Sequence, residues 1–379
     1  MGKKVVHLIA GLGKGGAETM LYQVLQYGHR EGQSVISFGE SHYYEPLLAE
    51  LGVAVTELPL RRRPISTLLR LTRLLRGTDT LCCWMYHASF FGFLAGKAAG
   101  VGRIVWCIRH SNLDPALNSR MTLLLSRICA RWSRNVDRIA YNGQKSRAVH
   151  EAAGYAPERG IVLDNGCDLD AYRPDPAAHA ALLSELGLDG ARQVVLSVTK
   201  DTPIKDIPTF LHAFGALRRS LDDPAAVLCG MGVVPENPRL RALCEEEGLT
   251  VGEDVFLLGL RHDVQRLLSG CDVYVLHSAG EAFPNVLLQA MACGCLCLTT
   301  DVGDARRILA QDDCVLAPGD CAALTEKMVW ALSLPVEERE RIGQENRRRA
   351  NTNFDIHCIV QAYEALWGGS SSLTQPPSV

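Results

Sequence analysis

Two lysines and one glutamate stand where charged groups could act on a bound anion. Lys200 and Lys205 lie five residues apart in the polar stretch Thr199–Asp206, and Glu281 is the one acid in the stretch Ser278–Phe283. Two ammonium groups on one loop would neutralise a phosphate. Standing alone, without Glu281 downstream, the pair reads rather as two solvated lysines. Just beyond Glu281, Ala282, Phe283, Pro284 and Asn285 lead into an unbroken helical run, so the first backbone N–H groups of that helix are offered to a phosphate. Gln289 follows on the same helix.

The elements that must hold these groups alternate between strand and helix. Val194–Val198 reads as a buried strand before the lysines, with a helix over Ile207–Leu217 after them. Cys271–His277 reads as the strand before Glu281. Asn285 suits an N-cap, Gly294 stops the helix, and Cys295–Thr299 is apolar enough for the next buried strand. The chain starts in the same way. Val5–Ala10 is a strand, Gly11–Glu18 a glycine-rich turn containing Gly13, Gly15 and Gly16, and Thr19–Tyr27 a helix. Ser34–Phe38, Leu81–Trp84 and Ile104–Ile108 continue the pattern, which implies parallel sheets with ligand loops at the strands' carboxyl ends. Two such ends carry histidines, His87 after Trp84-Met85-Tyr86 and His110 after Arg109. Each reads as a ligand contact or as a hydrogen-bonded structural group. Val255–Val264 is a further strand end and includes Arg261, Pro238–Glu247 is a helix, and Phe354–Trp367 has a helical apolar pattern.

Composition narrows the classes. At 379 residues, two or three domains are expected. A net charge of −3 argues against a nucleic-acid-coating protein. The apolar stretch around Ser89–Trp106 is interrupted by Lys97 and Arg103, so no transmembrane helix is expected, and no secretory signal is visible at the N-terminus. The fourteen cysteines do not space as a disulfide framework, and Cys293, Cys295 and Cys297 read as reduced thiols around a buried strand rather than a metal set. A reducing cytoplasm is the expected compartment. Two stretches are basic and apolar together: Arg61–Arg76, and Arg120–Arg134. They read as amphipathic surface helices, or as attachment to anionic lipid on the cytoplasmic face of a membrane.

The stretch from Glu281 to Gly294 resembles the donor-site signature of retaining glycosyltransferases of the family 4 type (glycosyl transferases group 1). That signature is Glu, seven residues, Glu, in a setting like Glu-Gly-Phe-Pro-Asn-Val-Leu-Leu-Glu-Ala-Met-Ala-Cys-Gly. Glu281 takes the first position and Gln289 stands at the second. The Gly-Gly-Ala-Glu ending of the first loop and Asn165-Gly166-Cys167-Asp168 with Tyr172-Arg173-Pro174 resemble the same family. The resemblance implies a GT-B fold: two Rossmann-like βαβ domains facing each other across a cleft. It places an acceptor-binding domain at 1–170, a donor-binding domain at 175–350, a helix at 354–367 crossing back to the first domain, and a disordered tail at 368–379. It also implies the roles. Lys200, in a position usually held by Arg, and Lys205 stabilise the leaving diphosphate. Glu281 holds donor-sugar hydroxyls, Gln289 holds the ribose without charge assistance, and His110 orients the sugar. Gly13, Gly15, Gly16, Arg261 and Ala282–Asn285 complete the donor site, and His87 and Arg109 are acceptor-side candidates.

The expected activity is transfer of a sugar from a nucleotide diphosphate sugar to a hydroxyl of a glycan or lipid-linked glycan, in surface polysaccharide assembly. No metal and no cofactor besides the donor are expected, although Asp168-Leu169-Asp170 matches the Asp-x-Asp of metal-dependent transferases. Three alternatives stay open: a GT-B sugar-nucleotide epimerase, a non-catalytic nucleotide-sugar binder, and an NAD(P)-dependent oxidoreductase. The last would use the Gly-x-Gly-x-x-Gly of Gly11, Gly13 and Gly16 with Glu40.

Overall fold

The computed structural model describes residues 3–39, 43–60, 64–115, 118–190 and 192–369. Glu40, Arg61–Arg63 and residues 370–379 of the expected tail lie outside the described residues. The chain divides into two compact units, one of Met1–Gly166 with Ile356–Val379 and one of Cys167–Asp355.

The first unit is built on seven strands: β1 (Val5–Ile9), β2 (Gln33–Ser37), β3 (Ala54–Glu57), β4 (Thr80–Trp84), β5 (Arg103–Ile108), β6 (Arg138–Tyr141) and β7 (Gly160–Val162). Their order is β3-β2-β1-β4-β5-β6-β7, and every pairing is parallel. β1 is buried throughout because helices cover both faces of a parallel sheet. Side chains alternate between two cores. Val5, Ile9, Cys82 and Trp84 pack with Leu21, Leu25, Tyr363 and Trp367, while Val6, Leu8, Leu81 and Cys83 pack with Leu71, Leu75, Ala95 and Leu125.

The second unit has six strands: β8 (Val194–Val198), β9 (Ala225–Cys229), β10 (Val255–Leu257), β11 (Val273–Leu276), β12 (Leu296–Thr300) and β13 (Val315–Leu316). Their order is β10-β9-β8-β11-β12-β13, again all parallel. Its core joins Leu196, Phe210, Phe214, Tyr274, Leu287 and Met291.

Three expectations change. The apolar pattern at Phe354–Trp367 is not one helix. Val336–Phe354 ends in the second unit and Ile356–Gly368 begins in the first, with Asp355 extended between them at φ −60°, ψ 126°. His87 is not at a strand end: β4 passes straight into the helix Met85–Ala99, Met85 taking the turn at φ 67°, so His87 sits in the first helical turn. Asn285 is the first residue of its helix, not its cap. Pro284 occupies the cap position at φ −78°, ψ 86°, with no side-chain cap bond.

The Asn285–Ala292 helix is backed by Val336–Phe354. Gly343 on the latter meets Gly294 so closely that a methyl group would overlap the Gly294 carbonyl, and Gly294 itself turns at φ 80°. Gly343→Ala should destabilise the second unit by about 2–3 kcal/mol through overpacking against backbone. A denaturant midpoint for that unit equal to wild type would refute this.

Candidate functional site

In the second sheet the strand order reverses between β8 and β11, and the loops leaving them diverge at their carboxyl ends. The loop after β8 carries Lys200 and Lys205, and the loop after β11 carries Glu281. They touch at that point. Ala279 N–H donates to the Ile204 carbonyl at 2.9 Å. The Lys205 ammonium pairs with Glu281 Oε1, and Ser278 Oγ donates to the same oxygen at 2.9 Å. The two charged side chains are 23% and 14% exposed, so each is partly withdrawn from water and held by the other. Thr300 Oγ1 donates to the Ser278 carbonyl at 2.7 Å and steadies the acidic loop from β12.

Lys200 is exposed and makes no side-chain ion pair among the described residues. Its backbone is set on both sides. Thr199 N–H donates to Cys229 O at 2.8 Å, and Asp201 N–H donates to Met231 O at 2.9 Å. The Asp201 carboxylate accepts from Asn237 Nδ2 at 2.8 Å and pairs with Arg239. Gly230, at φ 139°, lies directly against the Thr199 carbonyl, where a side chain would overlap it. This glycine therefore fixes the approach of the lysine loop to the loop after β9.

Among the other donor-side candidates, Phe283 is buried and meets the Phe354 ring edge-on at 6.2 Å. Ala282 is half-buried in the loop and Pro284 is buried at the helix entry. Gln289 lies in the second turn beside the Tyr172 hydroxyl, whose pKa is pushed up chiefly by burial. Arg261 is placed differently from the expectation. Its guanidinium is held by Glu185 at 2.5 Å and Asp263 at 2.7 Å, in a network with Arg266, so it is occupied within the protein. Asp168 Oδ1 accepts from the N–H groups of Asp170 (3.0 Å) and Ala171 (2.9 Å), which makes it a turn cap. The cysteines at 293, 295 and 297 are buried, and burial holds Cys293 up at about 12.

In the first sheet the order reverses between β1 and β4. The glycine loop leaves β1 there. Gly15 N–H donates to Gly13 O at 3.2 Å, and Gly15 O accepts from Thr19 N–H at 3.0 Å. A side chain at Gly15 would strike the Glu18 carboxylate, whereas Gly16 faces open space. The Glu18 carboxylate lies against Gly15 at the start of this helix, with its pKa raised by burial. It thus occupies the helix N-terminus that a dinucleotide's pyrophosphate would need. Glu18 was visible in the Gly-Gly-Ala-Glu motif as a first-turn acid, but nothing in the pattern alone gave it this place.

His110 lies two residues past the end of β5, half-buried, with its Nε2 2.9 Å from Asn118 Oδ1. Behind it, Ser146 Oγ donates to His110 O at 2.7 Å, and Tyr86 meets the His110 ring edge-on at 6.3 Å. The Tyr86 hydroxyl donates to His150 Nε2 at 2.6 Å, while His150 Nδ1–H donates to Ser146 O at 2.7 Å. Arg109, an acceptor-side candidate, faces inward instead. It bonds the Tyr363 hydroxyl and Asn165 Oδ1, lies over the Trp84 ring, and is buried. His87 is half-buried in its helix.

Known proteins match both halves. The family model for glycosyltransferase family 4 matches residues 14–171, and that for glycosyl transferases group 1 matches 181–349. The chain belongs to the glycosyltransferases of this type. It is similar to N-acetyl-alpha-D-glucosaminyl L-malate synthase of Bacillus anthracis, 26% identical over 49% of this chain and 48% of that one. It is also similar to the putative glycosyltransferase EpsF of Bacillus subtilis, 24% identical over 79% of each. The chain thus spans about half the length of the first relative and four-fifths of the second. The crystal structure of Anabaena HepE in complex with UDP superposes with a TM-score of 0.86 at 21% identity, over 97% of this chain and 100% of that one. That likeness carries the fold, GT-B, for a glycosyltransferase chain whose two sheets are both Rossmann-like.

Three histidines of this glycosyltransferase are buried and neutral. Burial lowers His7, His150 and His277 to about 4 from 6.5. His277 Nε2 lies 2.8 Å from Ser197 Oγ, directly behind the Glu281 loop. Because the folded values are depressed, the unfolded chain binds more protons between pH 6.5 and 4. Stability present above pH 6.5 should therefore be lost as pH falls to 4, at about 1.4 kcal/mol per pH unit for each histidine. Denaturant titrations across that range should show the slope, and His277→Gln should reduce it for the second unit. An equal slope in that variant would remove His277 from the account.

Proposed function

We propose that the chain transfers a sugar from a nucleotide diphosphate sugar to a hydroxyl of a glycan or lipid-linked glycan, with retention at the anomeric carbon and without a metal. The observation that carries this is the meeting of Lys205 and Glu281 at the reversal of the second sheet, with Lys200 on the same loop. In the reaction the bond from the anomeric carbon to the diphosphate oxygen breaks, and its electron pair leaves on the phosphate. The acceptor oxygen bonds the same face of that carbon, and its proton passes to the leaving phosphate. Lys205 and Lys200 take up the charge that develops on the diphosphate, which is where fixed cations lower a barrier most. Glu281 holds donor hydroxyls, Gln289 the ribose, and His110 orients the sugar. The UDP held by HepE, also solved with UDP-glucose, supports a nucleotide-sugar donor.

The decisive assay follows nucleoside diphosphate released from UDP-glucose and other nucleotide sugars, with and without acceptor, in chelator. Release should require acceptor and persist in EDTA. Lys205→Ala should lower turnover by about 100- to 1000-fold, as for loss of one group that stabilises transition-state charge. Near-normal turnover in that variant would remove the loop from the mechanism, and release without acceptor would favour an epimerase.

We place this activity on the cytoplasmic face of a membrane, through one face of the first unit. Helices Pro64–Leu74 and Arg120–Trp132 pack on either side of Met85–Ala99. They expose Ile65 (77%), Leu69 (57%), Met121 (56%) and Leu124 (50%) beside the exposed Arg70, Arg73, Arg120, Arg127 and Arg131. Apolar side chains ringed by arginines suit anionic headgroups. No helix among the described residues is long and apolar enough to cross a membrane. Sedimentation with anionic vesicles should exceed that with neutral ones and fall with salt, as screening over about 8 Å at physiological ionic strength requires. Equal sedimentation at low salt would leave these as ordinary surface helices.

A further inference from the structure

We propose that Asn118 is a positioning residue that fixes the His110 imidazole in its Nε2–H tautomer, so that Nδ1 meets the substrate as a hydrogen-bond acceptor. The argument begins with the amide. Asn118 Nδ2 lies 3.1 Å from the Asn112 carbonyl and 2.9 Å from the Asp114 carbonyl. Carbonyl oxygens only accept, so both amide hydrogens are committed and the amide cannot turn over without setting Oδ1 against two oxygens. Oδ1 is thereby the atom that faces His110 Nε2 at 2.9 Å, and it too only accepts. The proton between them belongs to the histidine. A neutral imidazole carrying its proton on Nε2 has a lone pair on Nδ1.

The loop is built to keep this arrangement. Asn112 Oδ1 accepts from Asp114 N–H at 2.7 Å and closes a turn inside it. The next residue, Ser119, caps the helix Arg120–Trp132 by accepting from Thr122 N–H at 3.1 Å. At the other end, Ser146 Oγ holds the His110 carbonyl. The backbone of His110 and the side chain of Asn118 are therefore both fixed, and the ring between them has one orientation. His110 Nδ1 makes no hydrogen bond among the described residues. Resting on the transferase reading above, this nitrogen accepts a hydrogen bond from a substrate hydroxyl and cannot donate one to a carbonyl or phosphate.

The test is long-range ¹H–¹⁵N NMR on the full chain labelled with ¹⁵N-histidine, with His110 assigned by its absence in His110→Gln. Wild type should show a protonated Nε2 and a bare Nδ1 for His110. Asn118→Ala should show a mixture of tautomers. Asn118→Asp keeps the acceptor, so Nε2 should stay protonated, but it sets a carboxylate oxygen against the Asn112 and Asp114 carbonyls and favours a second proton on Nδ1. With UDP-glucose as donor probe, Asn118→Ala should lower kcat by about tenfold, the order of one hydrogen bond, with little change in KM, and Asn118→Asp, which favours a proton on Nδ1, should not restore it. A protonated Nδ1 in wild type, or an unchanged tautomer in Asn118→Ala, overturns the proposal. A shifted tautomer with unchanged kcat overturns the role of Nδ1 toward substrate. Absence of UDP release by wild type counts against the donor reading instead, and the NMR result then decides the Asn118 assignment by itself.

Discussion

Parallel strands require every connection to cross a face of the sheet, and this constraint decides where chemistry can sit. With right-handed crossovers, strands added on opposite sides of a starting strand place their helices on opposite faces. The second sheet grows one way from β8 through β9 and the other way from β11 through β12, so the loops after β8 and β11 part company. Their crevice lies at the strands' carboxyl ends, where the two loops still touch through Ala279 N–H and the Ile204 carbonyl. Into it the chain sends an ammonium from one side and a carboxylate from the other. Lys205 and Glu281 are each partly desolvated, which is tolerable only while they pair. A ligand that draws on either charge must replace that pairing with contacts of its own, which under the proposed transfer the anionic oxygens and hydroxyls of a nucleotide sugar would supply.

Much of this was legible in the amino-acid order. Val194–Val198 and the lysines after it, Glu281 and the glycine at 294 are local signals, and each stands where its pattern put it. What the sequence did not disclose were partners far along the chain. Arg109 follows a buried strand and looked available, but Tyr363 and Asn165 reach it from 254 and 56 residues away. Arg261 is taken by Glu185 across 76 residues. Neither contact has any periodicity to betray it. The break at Asp355 was hidden for a different reason. Phe354 buries against Phe283 in one unit and Ile356 against Gly166 in the other, so two separate cores wrote one continuous apolar pattern.

Gln289 shows how a departure from the family pattern can be consistent with its surroundings. A carboxylate at this place would lie near a phenol that is itself buried among Cys167 and Cys293. The neutral amide lies beside the Tyr172 hydroxyl, and in the proposed reaction it would meet the ribose, which can both donate and accept. Charge assistance is lost, and charged hydrogen bonds are roughly twice as strong as neutral ones. Against that loss, Gln289 adds no second anion beside Glu281 in the proposed donor site. Lys200 brings a point charge where the family has a planar fork, so its grip on phosphate is less directional. The two departures therefore act together. In the proposed donor site one removes a negative charge and the other keeps the positive charge but loses its fork, so the charge presented to a nucleoside diphosphate is one unit more positive than in the family pattern.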